Sequence, residues 1–245
     1  MEMFKFYEVG GKVRDEILGL QSKDIDYVAV PSDDLRREIS SAHTMFNILE
    51  GYLKEESFET FLVTPDCFTI RAKFPAGHQH QGVADFVMAR KEVGYIPNTR
   101  QPMVVPGSLY DDLERRDFTL NAIAKDSDGK LIDFFDGLKD LKDGVLRTPL
   151  PCEVTFKDDP LRILRAIRFM ITKGFTITPE MHSQIKHFDY EVFMAVVSAE
   201  RIREELLKCF KHDTLKTIQV LIQYPYLFEY ITMTGIWFKP TLEVK

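Results

Sequence analysis

Near its start the chain reads Gly10-Gly11-Lys12-Val13-Arg14-Asp15 and then, after a short interval, Lys23-Asp24-Ile25-Asp26-Tyr27-Val28-Ala29-Val30. The second segment is a carboxylate pair that opens an apolar strand. Because alternate residues of a strand share a face, Asp24 and Asp26 point the same way and lie close enough to share divalent cations. Carboxylate oxygens suit Mg²⁺ better than zinc. The pattern predicts a magnesium site.

The glycine pair predicts a phosphate site just ahead of these acids. Gly10 and Gly11 lack Cβ atoms, so their backbone N–H groups can approach a triphosphate, and a helix from about Val13 would direct its N-terminus at it. Arg14 adds a cationic contact. Taken alone, a Gly-Gly is more often an ordinary turn and an Asp-x-Asp is more often solvated. Their order along the chain favours the functional interpretation.

Composition limits the class of protein. The chain has 245 residues, enough for one large domain or two smaller ones, and a net charge of −6. It shows no apolar run long enough to span a membrane and no secretion signal, which predicts a soluble, cytoplasmic protein without a membrane partner. Cys67, Cys152 and Cys209 lack metal-ligand or disulfide spacing. The acidic balance restricts any nucleic-acid contact to a local basic patch.

The first half of the chain alternates strand-like and helical runs. Strands are predicted at residues 4–8, 25–30, 59–64, 67–74 and 83–88, with helices from Val13 to Leu18 and around residues 46–49. Asp85 interrupts the last of these strands. It either completes a three-carboxylate metal site with Asp24 and Asp26 or faces water on an edge strand. Residues 91–110 are rich in proline and predict a long loop over a substrate.

Helical spacing dominates after Pro149. Apolar residues recur at intervals of three and four over residues 159–171, 181–187, 199–210 and 215–224. Pro149 and Pro151 interrupt regular structure between the two halves. The pattern predicts one domain over residues 1–149 and a helical region over residues 150–245.

Two further motifs carry polar groups suited to a nucleotide. The first contains Arg116 and Asp117, with Asn121 four residues after the aspartate. On a helix, Asp117 and Asn121 would share a face and could hold a ribose, while Arg115 or Arg116 contacts phosphate. In the second, Asp159 and Arg162 offer an acceptor and donors one turn apart, which suits the edge of a base, and Arg165 extends the basic stripe. The ordinary alternative for both motifs is a salt-bridged helix start.

Taken together, the motifs of this sequence resemble those of class II tRNA nucleotidyltransferases and bacterial-type poly(A) polymerases, within the polymerase-β-like nucleotidyltransferase superfamily. The resemblance extends from about residue 6 to 210 and follows the family's order. Besides the segments above, it rests on Arg115-Arg116-Asp117-Phe118-Thr119-Leu120-Asn121-Ala122, Asp133-Phe134-Phe135-Asp136-Gly137-Leu138-Lys139-Asp140-Leu141 with Leu146-Arg147, Asp158-Asp159-Pro160-Leu161-Arg162-Ile163-Leu164-Arg165-Ala166-Ile167-Arg168-Phe169, and Ser198-Ala199-Glu200-Arg201-Ile202-Arg203-Glu204-Glu205-Leu206.

The resemblance implies an α+β fold, with a catalytic head built on a mixed sheet and an all-helical neck that binds RNA and nucleotide. It implies template-independent addition of CMP and AMP from CTP and ATP to a tRNA 3′ end, complete or partial CCA addition, by two-metal-ion catalysis with Mg²⁺. By motif, the implied site residues are Asp24, Asp26 and Asp85 for catalysis, with the first two binding metal, and Gly10, Gly11, Arg14, Arg116, Asp117, Asn121, Asp159, Arg162 and Arg165 for the nucleotide.

The sequence departs from the family at some positions. Asp158 replaces the glutamate of the usual Glu-Asp-x-x-Arg, and the segment before Asp85 fits the family pattern less well. Members of the family usually continue into further helices that grip the tRNA, so a second copy, a helper subunit, a reduced substrate or a longer parent chain would account for the short length. The alternatives are a poly(A) polymerase and a catalytically silent RNA- or nucleotide-binding module.

Overall fold

The structure is a computed structural model that describes residues 3–22, 25–96, 99 and 101–233. It divides into two compact units. The first comprises the described parts of residues 1–96, 101–143 and 147–150, and the second those of residues 97–100, 144–146 and 151–245.

The first unit is a mixed sheet with helices on its faces. Its strands are β1 (Phe4–Val9), β2 (Ile25–Pro31), β3 (Glu59–Thr64), β4 (Thr69–Lys73), β5 (Val83–Met88), β6 (Arg90–Tyr95), β7 (Pro102–Pro106), β8 (Ile123–Lys125) and β9 (Leu131–Asp133). Its helices are α1 (Gly11–Ile17), α2 (Asp33–Glu38), α3 (Ala42–Glu55), α4 (Leu109–Glu114) and α5 (Gly137–Asp143), with 3₁₀ turns at Pro65–Cys67 and Thr119–Asn121.

The seven-stranded sheet has the order β3-β4-β5-β2-β1-β8-β9. The β2–β5 pair is parallel, whereas its other pairs are antiparallel. One face packs against α3, whose Ser41 cap accepts a hydrogen bond from the Thr44 N–H at 3.2 Å and whose Phe46 and Leu49 are fully buried. The opposite face carries a second core around Val9 and Val28. The sheet thus has a buried core on each face, and its strand pairing positions the side chains that the core leaves open.

The second unit is mainly helical. It contains α6 (Cys152–Asp158), α7 (Leu161–Thr172), α8 (Pro179–His187), α9 (Tyr190–Val196), α10 (Ala199–His212), α11 (Thr214–Leu221) and α12 (Pro225–Met233), with a short parallel ladder of β10 (Val145–Leu146) and β11 (Thr176–Ile177). Apolar side chains of α7 and α10, such as Ile167 and Leu206, are buried. Within the described residues, no helix has the length and apolar character required to cross a membrane.

The predicted strands at residues 59–64 and 83–88 are confirmed at the same bounds. The predicted loop over residues 91–110 is wrong, because β6 and β7 form an antiparallel hairpin and α4 begins at Leu109. Pro102 and Pro106 stand at the ends of β7, in a two-stranded ladder where each strand has an unpaired edge, and proline is tolerated there. Pro97, predicted as part of the loop, lies outside the described residues.

Candidate active site

Two acidic residues lie side by side on adjacent strands near the centre of the sheet. Asp26 of β2 and Asp85 of β5 are register partners in the parallel pair, so their side chains leave the same face of the sheet. The edge-strand alternative for Asp85 is wrong, because β5 lies between β4 and β2. Asp24, the other predicted ligand, lies outside the described residues.

An open cavity of about 550 Å³ surrounds this acidic pair. It is lined by Ile25, Asp26, Phe61, Arg71, Val83, Ala84 and Asp85. Arg71 of β4 is the register partner of Asp85, and its Nε and Nη2 donate to the two oxygens of the Asp85 carboxylate, each at 2.7 Å. Within the described parts of the chain, no three His, Cys, Asp or Glu side chains are grouped to hold a metal ion.

Gly10 brings the backbone close to the acids. Its φ of +74° lies in the region that favours glycine, and a Cβ added there would lie 3.1 Å from Asp26 Oδ2 and 3.2 Å from Arg116 Nη1. Gly11 is the first residue of α1 and has no such restriction, since its added Cβ would meet Arg14 Nη2 at an ordinary 3.6 Å. The helix predicted from Val13 therefore begins earlier, directly after Gly10.

Three of the predicted triphosphate and sugar residues, Arg14, Asp117 and Asn121, are joined by hydrogen bonds. Arg14 Nη1 donates to Asn121 Oδ1 at 2.6 Å, and Asn121 Nδ2 donates to Asp117 Oδ1 at 2.8 Å. Arg14 also donates from Nε and Nη2 to Asp15 Oδ1. Arg14 and Asn121 are buried. The cluster thus holds its arginine in place before any ligand arrives.

The predicted helix that would carry Asp117 and Asn121 is wrong. Helix α4 ends at Glu114, and Asn121 belongs to a separate 3₁₀ turn that starts at Thr119. The turn folds back so that the two side chains still meet. Their proximity comes from this reversal of the chain, which helical spacing does not describe.

Asp112 organises the two arginines of the motif. It is fully buried and accepts hydrogen bonds from Arg115 at 2.6 Å and 3.1 Å and from Arg116 at 3.0 Å. Burial alone would raise the pKa of Asp112, but the Arg115 and Arg116 guanidiniums outweigh it and hold the pKa below its ordinary value. Asp112 therefore stays ionised and orients Arg116 toward Gly10.

Arg116 also presents a polar atom that its own surroundings do not satisfy. Its Nε is buried and has no hydrogen-bond partner among the described residues. A buried donor of this kind is costly unless a ligand or water pairs with it. This observation fits an anion held beside Gly10.

Sequence reasoning missed Asp112, Arg71 and Phe61. The signal for Asp112 was present, because Asp112 lies in the last turn of α4 and precedes Arg115 and Arg116 by three and four residues. Arg71 and Phe61 had no comparable signal. Their place at the cavity depends on the register of β4 with β5 and on the path of β3, which sequence spacing does not reveal.

In the second unit, Asp159 and Arg162 lie at the junction of α6 and α7. Asp159 precedes α7, and its Oδ1 accepts the Leu161 N–H at 3.1 Å. Arg162 is buried, and its Nη1 donates to the carbonyl oxygen of Thr155 at 3.4 Å. Arg165 is half-buried on the same helix. The roles of these residues in base recognition stay predictions.

Comparisons with known proteins agree on the family. A family model described as "Poly A polymerase head domain" matches residues 6–147, and another described as "Probable RNA and SrmB- binding site of polymerase A" matches residues 174–232. The chain is 35% identical over 205 residues to a multifunctional CCA protein of Nitrosomonas eutropha, covering 82% of this chain and 43% of that protein.

Two further relatives agree. The chain is 36% identical over 230 residues to the mitochondrial CCA tRNA nucleotidyltransferase of Saccharomyces cerevisiae, covering 89% of this chain and 40% of that protein. The Bacillus stearothermophilus CCA-adding enzyme, solved in complex with CTP, superposes with a TM-score of 0.65 at 27% identity over 86% of this chain and 45% of that one. The chain thus spans less than half the length of these three proteins. It belongs to the family that unites class II tRNA nucleotidyltransferases with bacterial-type poly(A) polymerases.

Proposed function

We propose that this protein adds CMP and AMP from CTP and ATP to the 3′ end of tRNA, as complete or partial CCA addition. The observation that carries the proposal is the register pairing of Asp26 with Asp85 on adjacent strands, directly beside the Gly10 turn and Arg116. Relatives and similar structures named as CCA-adding enzymes support tRNA as the acceptor.

Mg²⁺ fits the donors of this site. Asp24 and Asp26 would hold two ions, with Asp85 as a third carboxylate, and oxygen donors of this type suit Mg²⁺. When bound, the ions supply Lewis acidity to the attacking 3′-hydroxyl and neutralise charge on the departing pyrophosphate. Arg71 already offsets the repulsion between Asp26 and Asp85 by pairing with both oxygens of Asp85.

The residues around Gly10 would bind the nucleotide. The Gly10 turn and Gly11, at the start of α1, would offer backbone N–H groups to the triphosphate, and Arg116 would offer it a guanidinium whose Nε has no partner among the described residues. Arg14 stands behind them, fixed by Asn121. Asp117 and Asn121 would contact the sugar. Because these groups are held by one another, little reorganisation accompanies binding, which favours catalysis by positioning and electrostatics.

The two parts of the chain would divide the work. We assign catalysis to residues 1–149 and contacts with the base and the RNA to residues 150–245. Asp159 and Arg162 would select the incoming base through complementary hydrogen bonds, and Arg165 would extend the basic stripe. A second copy or a helper subunit would supply further contacts with tRNA. A cytoplasmic location stays a prediction.

A primer-extension assay tests the activity. Purified protein, Mg²⁺ and single or mixed nucleotides are combined with tRNA transcripts that end before CCA or after CC, or with an unstructured RNA. Extension that stops at CCA, or addition of only C or only A to tRNA, supports the proposal. Chelation by EDTA should abolish the extension of the RNA, and excess Mg²⁺ should restore this extension.

The same assay separates the alternatives. A long adenosine tail on either RNA would identify a poly(A) polymerase, which the head-domain family also includes. Nucleotide binding without pyrophosphate release on any acceptor would identify a silent binding module and overturn the proposal.

A further inference from the structure

Phe61 is an exposed aromatic residue at the rim of the acidic cavity. It lies in the edge strand β3, and its side chain is 55% exposed. The pairing of β3 with β4 shifts register between Thr60 and Leu62, so Phe61 is the extra residue of a β-bulge. Bulges at sheet edges and next to active sites redirect a side chain. Among the described residues, Phe61 has no aromatic partner.

A comparison with the neighbouring Leu62 shows that the exposed side chain of Phe61 faces the cavity. Leu62 is similarly exposed, at 51%, but does not line the cavity, whereas Phe61 shares the cavity wall with Asp26 and Asp85. A large apolar side chain left in water forgoes the stabilisation that burial would provide. A flat ring beside a carboxylate pair is suited to stacking against another flat group.

The order of the strands indicates which reactant would meet Phe61. The proposed triphosphate site follows β1, on one side of Asp26, whereas β3 lies on the other side, beyond β4 and β5. At the usual strand spacing, β3 is roughly 14 Å from β2. In nucleotidyl transfer the attacking and leaving oxygens lie roughly in line across the reacting phosphorus. The pyrophosphate would depart on the β1 side, so the 3′-hydroxyl approaches from the β3 side.

We infer that Phe61 is the stacking platform for the 3′-terminal base of the RNA acceptor. The inference rests on the proposed function and adds the place where the acceptor binds. Stacking on an aromatic ring tolerates any base, because every base has a flat face. Such a contact suits an acceptor whose terminal base changes after each addition. Phe61 is then a positioning residue, which holds the sugar of the terminal nucleotide near Asp26 and Asp85.

Steady-state kinetics provide the first test. Phe61→Ala should raise the KM for the RNA acceptor about tenfold, in the range of one lost base-stacking contact. The KM for CTP and ATP, and kcat at saturating RNA, should change less than twofold. Phe61→Trp should restore the KM for RNA, since an indole also stacks. Leu62→Ala is the matched control and should behave like the unsubstituted protein.

Fluorescence provides a test that does not depend on activity. An indole introduced by Phe61→Trp should be quenched when a tRNA transcript ending before CCA is added, and left unchanged by CTP or ATP alone. Leu62→Trp should show no quenching, and the unsubstituted protein reports the background of the chain's single Trp237.

The outcomes separate this inference from the proposed function. If the unsubstituted protein extends RNA but Phe61→Ala keeps its KM for RNA, the inference is wrong and the function stands. Quenching of Phe61→Trp by nucleotide and not by RNA would assign the ring to the incoming base and overturn the inference. If no RNA is extended but RNA quenches Phe61→Trp selectively, the stacking site stands and the activity fails.

Discussion

At the scale of single residues, the candidate site depends on how Asp26 and Asp85 tolerate each other. Two carboxylates on adjacent strands repel, and Arg71 offsets this by binding both oxygens of Asp85. Bound cations would act in the same direction. The strand pairing therefore places two carboxylates side by side, an arrangement that we propose binds metal ions.

Asp26→Asn tests this assignment. The amide keeps the shape of the side chain but removes its charge, so incorporation should fall by at least about 100-fold, as expected for the loss of several kcal/mol of metal-dependent stabilisation. The protein should stay folded, because the substitution also removes the repulsion between Asp26 and Asp85. Asp34→Asn, on the surface of α2, is the control and should keep full activity. Undiminished turnover in Asp26→Asn would refute the metal role. Asp24→Asn should show the same loss of incorporation as Asp26→Asn.

Gly10→Ala tests the close approach of the backbone. The positive φ and the crowding against Asp26 and Arg116 should lower the free energy of unfolding by about 1–3 kcal/mol. Binding of CTP, measured by calorimetry, should weaken at least about tenfold because both neighbours must move. Gly129→Ala separates the two causes: Gly129 also has a positive φ, of +80°, but an added Cβ would meet nothing within 4 Å. Gly129→Ala should lose stability and keep its affinity for CTP. Equal losses of affinity in Gly129→Ala and Gly10→Ala would contradict a nucleotide site at Gly10.

At the scale of elements, α7 and α10 are joined by a partly buried ion pair. Arg168 Nε donates to Glu205 Oε2 at 2.5 Å, and Lys208 lies 3.2 Å from the other oxygen. Glu205→Gln leaves Arg168 without its charged partner and should lower the free energy of unfolding in urea by about 2 kcal/mol, less than for a fully buried pair. Glu204→Gln is the matched control, since its pair with Arg201 is exposed and should contribute less than about 0.5 kcal/mol. Equal effects of the two substitutions would contradict a structural role for the pair.

The same pair predicts a dependence of stability on pH. Burial alone would raise the pKa of Glu205, but Arg168, with Arg165 and Lys208 nearby, lowers it below its ordinary value of 4.5. Because the folded-state pKa is the lower one, the contribution of Glu205 is complete above pH 4.5 and is lost as the pH falls through the folded-state pKa. Urea unfolding at a series of pH values should show the difference between the unsubstituted protein and Glu205→Gln shrink only in that acidic range.

At the scale of the whole molecule, the net charge of −6 limits how RNA can be held. In the proposed function, phosphate contacts would come from local groups such as Arg71 and Lys73, which lie on β4 beside Phe61 with exposed side chains. The logarithm of tRNA affinity should therefore fall with the logarithm of salt concentration with a slope shallower than about −3, measured by anisotropy between 50 and 200 mM KCl. A much steeper slope would require an extended basic surface.

The sequence by itself determined the fold class and the family, and the site residues that it names stay predictions. Strand propensity, with turn residues between the segments, located β3 and β5, and the ordered motifs named Asp26, Arg116 and Asn121. These features were accessible because they depend on neighbours within a few residues of one another. Proline was misleading at β7, because a two-stranded hairpin has free edges that accept it.

Only the tertiary structure decided which of these groups meet. The parallel pairing of β2 with β5 places Asp85 beside Asp26, and the antiparallel register of β4 brings Arg71 to Asp85. The bulge in β3 places Phe61 at the same cavity. Strand register and bulges arise from hydrogen bonds and packing between segments that are distant in the chain, and no local spacing encodes them.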